Sequence, residues 1–136
     1  MAILIDADVL IHSERGRFDL LSWIHSQTPN YGVLAAITVA EFRHGIERAS
    51  GMHRMRRQRF LEEILLPVFP VVPYTEATAE IHARIWAECQ VAGRMIGPHD
   101  LILAAGALEH SASVATFNVR HFSSVPGLHV ITPQLP

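Results

Sequence analysis

The chain of 136 residues contains no lysine, so all eleven of its basic side chains are arginines. Catalytic sites that depend on a lysine amine are therefore excluded. The guanidinium groups that remain can bind phosphate in a bidentate manner, whereas an amine acts as a point charge. Contacts with phosphate groups are accordingly expected from arginine.

Cysteine and long apolar runs are equally scarce. The single cysteine, Cys89, excludes an internal disulfide, which fits a reducing cytoplasm. The longest uncharged apolar block, LILAAGAL at 101–108, is far shorter than the roughly 18 residues needed to span a bilayer. The N-terminus lacks a basic segment and soon reaches Asp6, which argues against a secretory signal. We therefore expect a cytoplasmic protein, and its length predicts one domain over residues 1–136.

Positive charge is concentrated in one part of the chain. The net charge is −2, yet six arginines and one glutamate lie between residues 43 and 59, an excess of five positive charges that leaves −7 for the remainder. A solvated helix face is one explanation of such a run. A phosphate-binding patch is the other, since clustered arginines supply the non-specific part of nucleic-acid affinity. The candidates for substrate binding are Arg54, Arg56, Arg57 and Arg59.

Strand-like and helix-like segments alternate along the sequence, which predicts an α/β fold. Short apolar segments indicate five strands, at 2–5, 33–37, 68–72, 112–117 and 128–132. Apolar residues at helical spacing indicate helices at 18–26, 38–49, 51–66, 75–92 and 98–110. Pro70 cannot donate to a sheet ladder, so the third strand is expected at an edge. The alternation predicts a mostly parallel sheet with helices on both faces and a functional crevice at the carboxyl ends of the strands.

Three acidic residues fall where those carboxyl ends should meet. Asp6 ends the first strand, Glu41 lies in the first turn after the second strand, and Asp100 lies early in the helix beginning near Pro98. Taken singly, each has a structural explanation: an N-cap for Asp6, a capping box with Thr38 for Glu41, and the helix dipole for Asp100. Taken together, they predict a metal site, because a hard divalent cation needs carboxylates converging from separate elements.

A divalent cation at this edge predicts hydrolysis of a phosphodiester. Such a cation can lower the pKa of a water molecule, orient it in line with the phosphorus atom and neutralise charge on the leaving oxygen. The neighbouring helix N-termini also favour anionic groups. Capping and metal binding are therefore compatible explanations of the same acids.

Four segments resemble the conserved segments of PIN-domain proteins. They are LIDADVLI (4–11), ITVAEFRHGI (37–46), GRMIGPHDLILAAGAL (93–108) and VATFNVRHFSSVPGLHVI (114–131). The match runs in order through nearly the whole chain and is most similar to the VapC toxins of type II toxin–antitoxin systems. The resemblance implies a PIN-like three-layer α/β/α fold and an RNA-cleaving ribonuclease that uses Mg²⁺ or Mn²⁺. It also implies a homodimer, neutralised by a VapB-type antitoxin whose C-terminal segment enters the active site.

The resemblance also implies roles for individual residues. Asp6, Glu41 and Asp100 correspond to the three principal acids of the family and would hold the metal. Thr116 and Asn118 correspond to the segment that often supplies a fourth acid, which is absent here, so a second metal is not expected.

Two further positions depart from the family pattern. His121 stands where many relatives have Asp or Glu. Asp8 stands where Asn or Ser is usual, and it either caps the first helix, which we favour, or adds charge to the site. An Asp-x-Asp pair after an apolar strand also resembles the first motif of haloacid-dehalogenase-type phosphatases. That interpretation requires a downstream basic residue, typically lysine, and a late acidic pair, whereas Glu109 is the only acid after Asp100.

An alternative of another class is a PIN fold kept as a binding or regulatory module without catalysis. Asn118 favours this alternative, whereas the three intact acids favour the enzyme. Trp23 and Trp86 are expected in the core or at a dimer interface rather than as base-stacking platforms. His99 is expected to contact substrate or to support the neighbouring acid.

Overall fold

The computed structural model describes residues 1–134, in which five parallel strands form one sheet between two layers of helices. The strands are β1 (Ala2–Ile5), β2 (Tyr31–Ala35), β3 (Val71–Val72), β4 (Ser113–Ala115) and β5 (Val130–Ile131). The helices are α1 (Ala7–Glu14), α2 (Leu20–Ser26), α3 (Ala36–Arg48), α4 (Gly51–Arg59), α5 (Leu66–Val68), α6 (Glu76–Val91) and α7 (Pro98–Glu109). A π-helical turn (Phe60–Leu65) joins α4 to α5, and a 3₁₀ turn (Val119–His121) follows β4. The predicted α/β/α architecture is confirmed.

The strand order places the first strand at the centre of the sheet. The order is β3-β2-β1-β4-β5, and every neighbouring pair is parallel. The chain moves outward from β1 through β2 to β3, then crosses back to β4 and β5. The direction of winding therefore reverses between β1 and β4, where Ile5 is aligned with Ala115. Ligands of open parallel sheets bind at this kind of switch point, beyond the carboxyl ends of the strands.

Two apolar cores hold the helices against the sheet. All four residues of β1 are buried, as expected for a central parallel strand. One core contains Cys89 of α6 and Leu103 of α7, and the other contains Val9 of α1, Phe42 of α3 and Leu61 of the π-helical turn. The prediction that Cys89 belongs to the core is confirmed. In residues 1–134, no helix combines the length and the apolar character needed to cross a membrane.

The junction of β2 and α3 differs from the sequence prediction. The strand ends at Ala35 and α3 begins at Ala36, without a side-chain N-cap. The predicted capping box between Thr38 and Glu41 is therefore wrong, because both residues already lie inside the helix. Glu41 is in its second turn, and Thr38 is fully buried. The carboxylate of Glu41 is thus not occupied with the end of its own helix.

The third strand is shorter than predicted, but its position is as expected. Residues 66–68 are helical, and β3 contains only Val71 and Val72, at one edge of the sheet. Pro70 contributes its carbonyl, which accepts a hydrogen bond from the N–H of Leu34 at 2.9 Å. An edge position suits this residue because it has no N–H to donate.

Candidate active site

A pocket of about 490 Å³ opens at the switch point of the sheet. Four carboxylates line it, and they come from different parts of the chain: Asp6 and Asp8 follow β1, Glu41 is on α3, and Asp100 is on α7. The two elements α3 and α7 are in contact, which brings the last two acids to the edge reached by β1. Parallel strands place their carboxyl ends at one edge, so tertiary structure gathers acids that are 94 residues apart in sequence, from position 6 to position 100.

Asp6 is the most buried of the four acids, with 6% of its surface exposed. Its Oδ1 accepts a hydrogen bond from the N–H of Ala7 at 2.8 Å, as an N-cap of α1. Its Oδ2 accepts a hydrogen bond from the hydroxyl of Thr116 at 2.9 Å. The pKa of Asp6 is raised to about 6, first by burial of the carboxyl and second by the nearby charge of Asp8. Asp6 therefore acts as a helix cap and also faces the pocket.

Asp8 does not cap the first helix, so the favoured expectation for this residue is wrong. Its Oδ2 accepts hydrogen bonds from the N–H of Phe117 and from the side-chain amide of Asn118, both at 3.0 Å. The hydroxyl of Thr116 lies 3.4 Å from the same oxygen. Burial raises the pKa of Asp8. Asp8 therefore joins α1 to the segment after β4, and it adds a fourth carboxylate to the pocket.

Glu41 and Asp100 complete the acidic lining. Burial raises the pKa of each carboxyl, and the charge of Asp6 is the next largest cause in both cases. The imidazole Nδ1 of His121 lies 3.2 Å from Oδ2 of Asp100. A Cβ atom at Gly97 would lie 3.3 Å from that same oxygen, so a glycine leaves room for the carboxylate.

The donor set fits a hard divalent cation. The carboxylates repel one another, and within the described part of the chain no arginine lies within 4 Å of any of the four. Oxygen ligands of this type are those that Mg²⁺ and Mn²⁺ prefer. Over residues 1–134 no three His, Cys, Asp or Glu side chains lie close enough together to hold a metal ion between them without moving. The acids instead line an open pocket, which leaves space for water and a phosphate group.

Asn118 contributes no charge to the pocket. Its N–H donates to the hydroxyl of Thr116 at 2.9 Å, and its side-chain amide holds Asp8. The fourth carboxylate is therefore provided by Asp8 rather than by position 118. His99 lines the same pocket beside Asp100.

The arginines proposed for substrate binding do not share one environment. Arg54 forms an ion pair with Glu47 at 3.5 Å on the exposed surface. Arg56 lies 3.1 Å from the imidazole of His53, and Arg59 is exposed. None of these three lines the acidic pocket.

Arg57 is placed differently from the other three. Its Nη1 donates to the carbonyl of Gly45 at 3.0 Å, and it lines a recess that also contains Glu41 and Ile11, which both line the acidic pocket. Arg15 lines the same recess and was missed by the sequence analysis. Arg15 is the C-cap residue of α1, four residues after Ile11, and this spacing is the signal that would have found it.

Comparison with known proteins follows the whole length of the fold. The family description of the PIN domain matches residues 3–128. The chain belongs to the PIN domain family. The match includes the opening strand and Asp8, so the PIN assignment replaces the phosphatase interpretation of that segment.

Individual PIN proteins are similar over nearly the entire chain. The VapC ribonuclease Y4jK of Sinorhizobium fredii is 32% identical over 139 residues, which cover 98% of this chain and 99% of the relative. The FitAcB structure from Neisseria gonorrhoeae has a TM-score of 0.79 and 31% identity, covering 95% of this chain and 96% of that one. The VapBC2 structure from Rickettsia felis, bound to a DNA fragment from its promoter, has a TM-score of 0.86 at 19% identity, covering 98% and 100%. The last comparison shows the PIN fold alone.

Proposed function

We propose that this PIN-domain protein is the toxin of a toxin–antitoxin pair, an endoribonuclease that hydrolyses RNA phosphodiester bonds with the help of Mg²⁺ or Mn²⁺. The observation that carries the proposal is the convergence of Asp6, Glu41 and Asp100 from three separate elements on one open pocket. The ribonuclease relative named above supports RNA as the substrate class. An RNA substrate would place the activity in the cytoplasm.

The side chains of the pocket divide into those that hold a cation and those that hold the acids. Asp6, Glu41 and Asp100 would bind the cation through their carboxylate oxygens. When bound, a divalent cation supplies positive charge for the phosphate and lowers the pKa of a water molecule. Its charge would also relieve the repulsion that raises the pKa of these carboxyls.

Neighbouring groups fix the orientation of these acids before any ligand arrives. The hydroxyl of Thr116 donates to one oxygen of Asp6, which fixes the direction in which this carboxylate points. His121 does the same for Asp100 from the 3₁₀ turn after β4. Such supporting contacts tune metal sites and typically affect metal affinity or activity by about 10- to 100-fold.

An antitoxin of the VapB type is the partner that we propose for this chain. Support comes from the solved relatives VapBC2 and FitAcB and from the resemblance to VapC toxins.

We further infer a homodimer. Trp86 is 50% exposed and Tyr74 is 47% exposed, so neither belongs to the core, whereas Trp23 is partly buried against one of the cores. Light scattering coupled to size-exclusion chromatography should give twice the mass of the chain, and Trp86→Glu should give a monomer.

The activity is tested by a conservative change of one acid. Asp100→Asn should lower the rate of cleavage of single-stranded RNA by about 100-fold or more, because the amide carries no charge to hold a cation. Excess EDTA should abolish cleavage by the wild-type protein, and added Mg²⁺ or Mn²⁺ should restore it. Cleavage is measured on a labelled RNA by gel electrophoresis, with circular dichroism as a check that the variant is folded.

The matched control is Glu88→Gln, which removes one carboxylate from an exposed position on α6. This variant should cleave RNA at the wild-type rate. Full activity of both Asp6→Asn and Asp100→Asn, or full activity in excess EDTA, would show that the metal-dependent proposal is wrong.

A further inference from the structure

A second, smaller recess of about 170 Å³ opens beside the acidic pocket. The two share Glu41 and Ile11 as lining residues, so the recess lies directly next to the pocket. Arg57 and Arg15 contribute the positive charge of the recess. Four carboxylates in one pocket are thus followed by two guanidinium groups in the next.

Arg57 is held in this position by the end of α3. Its side chain is half-buried, and its Nη1 donates to the carbonyl of Gly45, which lies in the last turn of that helix. A guanidinium group has five N–H donors, so this contact leaves others for a ligand. A cation beside the carbonyl end of a helix is also electrostatically favoured, which fixes the group at little cost.

Neither guanidinium group of the recess forms an ion pair. Among residues 1–134, no carboxylate lies within 4 Å of Arg57 or Arg15, although Glu14 and Glu41 also line the recess. Arg54 provides the contrast, because its charge is paired with Glu47. Of the four arginines singled out in the sequence, only Arg57 thus combines a fixed position, a charge outside any ion pair and a place in the recess beside the acidic pocket.

We infer that this recess binds the phosphate group of the RNA strand that is next to the one cleaved, with Arg57 and Arg15 as its ligands. The inference rests on the proposed function, since the acidic pocket is taken as the place of cleavage. Guanidinium groups bind phosphate oxygens through paired, charge-assisted hydrogen bonds. The recess therefore sets the register of the strand, while the neighbouring acids act on the scissile phosphate.

The test measures RNA binding without cleavage. All proteins carry Asp100→Asn, and the affinity for a fluorescently labelled single-stranded RNA is followed by anisotropy between about 50 and 200 mM NaCl. Loss of one phosphate contact should reduce the slope of log K against log salt by about 0.7 for a single strand. Arg57→Gln and Arg15→Gln should each show this reduction, and Arg57→Lys should retain most of the slope because the charge remains.

Arg54→Gln is the matched control. Arg54 lies on the same helix and also donates to a backbone carbonyl of α3, that of Glu47, at 3.4 Å, but it does not line the recess. Arg54→Gln should leave the salt slope unchanged, although it removes a hydrogen bond between α4 and α3 like the one that Arg57 makes. Thermal melting of each variant reports any loss of that structural contact separately.

Two outcomes would overturn the inference. One is an unchanged slope in the Arg57→Gln variant, which includes the case of a recess that serves a protein partner instead of RNA. The other is an equal change in the Arg54→Gln and Arg57→Gln variants, which would indicate a general effect of surface charge. Failure of the proposed function itself would appear in the cleavage assay instead, as full activity of both the Asp6→Asn and Asp100→Asn variants or of the wild-type protein in excess EDTA.

Discussion

Two groups hold the carboxylate of Asp6 in place, the backbone N–H of Ala7 and the hydroxyl of Thr116. Both contacts favour the charged form, yet burial and the nearby Asp8 outweigh them and raise the pKa to about 6. Without a cation, ionisation of Asp6 is therefore less favourable in the folded protein than in the unfolded chain. A site that must attract a metal gains from this arrangement, because binding removes the unfavourable interaction.

The raised pKa of Asp6 predicts how stability depends on pH without metal. The folded protein binds this proton more tightly than the unfolded chain, because the pKa of Asp6 in the fold lies above the ordinary value of 3.8. The protonated carboxyl therefore contributes stability that is fully present below about pH 4 and is lost as the pH rises through about 6. Between pH 4 and pH 8, wild-type protein in EDTA should lose roughly 2 to 3 kcal/mol of unfolding free energy relative to Asp6→Asn. Urea denaturation at several pH values measures this difference. An identical pH dependence for the two proteins would contradict the prediction.

At the scale of the helix, the start of α6 is fixed by reciprocal hydrogen bonds. The N–H of Thr75 donates to the side chain of Thr78 at 3.0 Å, and the N–H of Thr78 donates back to the side chain of Thr75. The hydroxyl of Thr78 also donates to Glu109 at 2.6 Å, at the end of α7. Thr78, which is buried, therefore both completes the capping box of α6 and joins that helix to α7.

Thr78→Val should destabilise the protein by about 1 to 3 kcal/mol, because it removes the hydroxyl that accepts the N–H of Thr75 and leaves Glu109 without its closest donor. Thr38→Val is the matched control on α3. The hydroxyl of Thr38 is buried without a hydrogen-bond partner among residues 1–134, so its removal should be neutral or stabilising by about 1 kcal/mol. Chemical denaturation of both variants makes the comparison. Equal destabilisation by the two changes would mean that the capping contacts contribute nothing specific.

At the scale of the whole molecule, the segment between α5 and β3 packs closely against Gly32 of β2. A Cβ atom there would lie 2.7 Å from Cε1 of Phe69 and 3.0 Å from Cδ1 of Ile5. Phe69 is only 3% exposed, so its ring cannot swing into solvent to make room. The close approach therefore requires glycine for steric reasons.

Gly32→Ala should destabilise the protein by about 1 to 3 kcal/mol through overpacking, with a lower melting temperature. Adding Phe69→Leu should recover part of the loss by creating space for the new methyl group. Gly106→Ala in α7 meets nothing within 4 Å and should instead stabilise the helix by about 0.5 to 1 kcal/mol. Equal effects of the two glycine substitutions would be inconsistent with this account of the packing.

Local patterns in the sequence determined a large part of this architecture. Short apolar segments bounded by turn residues predicted all five strands, and Pro70 predicted the edge strand, since these signals arise from the backbone itself. The position of Asp6 after β1 and of Asp100 after Pro98 likewise followed from neighbouring residues. The absence of lysine left arginine as the basic side chain for binding phosphate.

Only the tertiary structure decided which side chains share a surface. Asp8 was expected to cap its own helix, but its partners lie at positions 116–118, 108 to 110 residues away. Arg57 and Arg54 look equivalent in the sequence, yet one lines a recess beside the acids and the other pairs with Glu47. Spacing along the chain describes one helix or strand at a time, whereas these contacts depend on the order of strands in the sheet and on the helices packed against it.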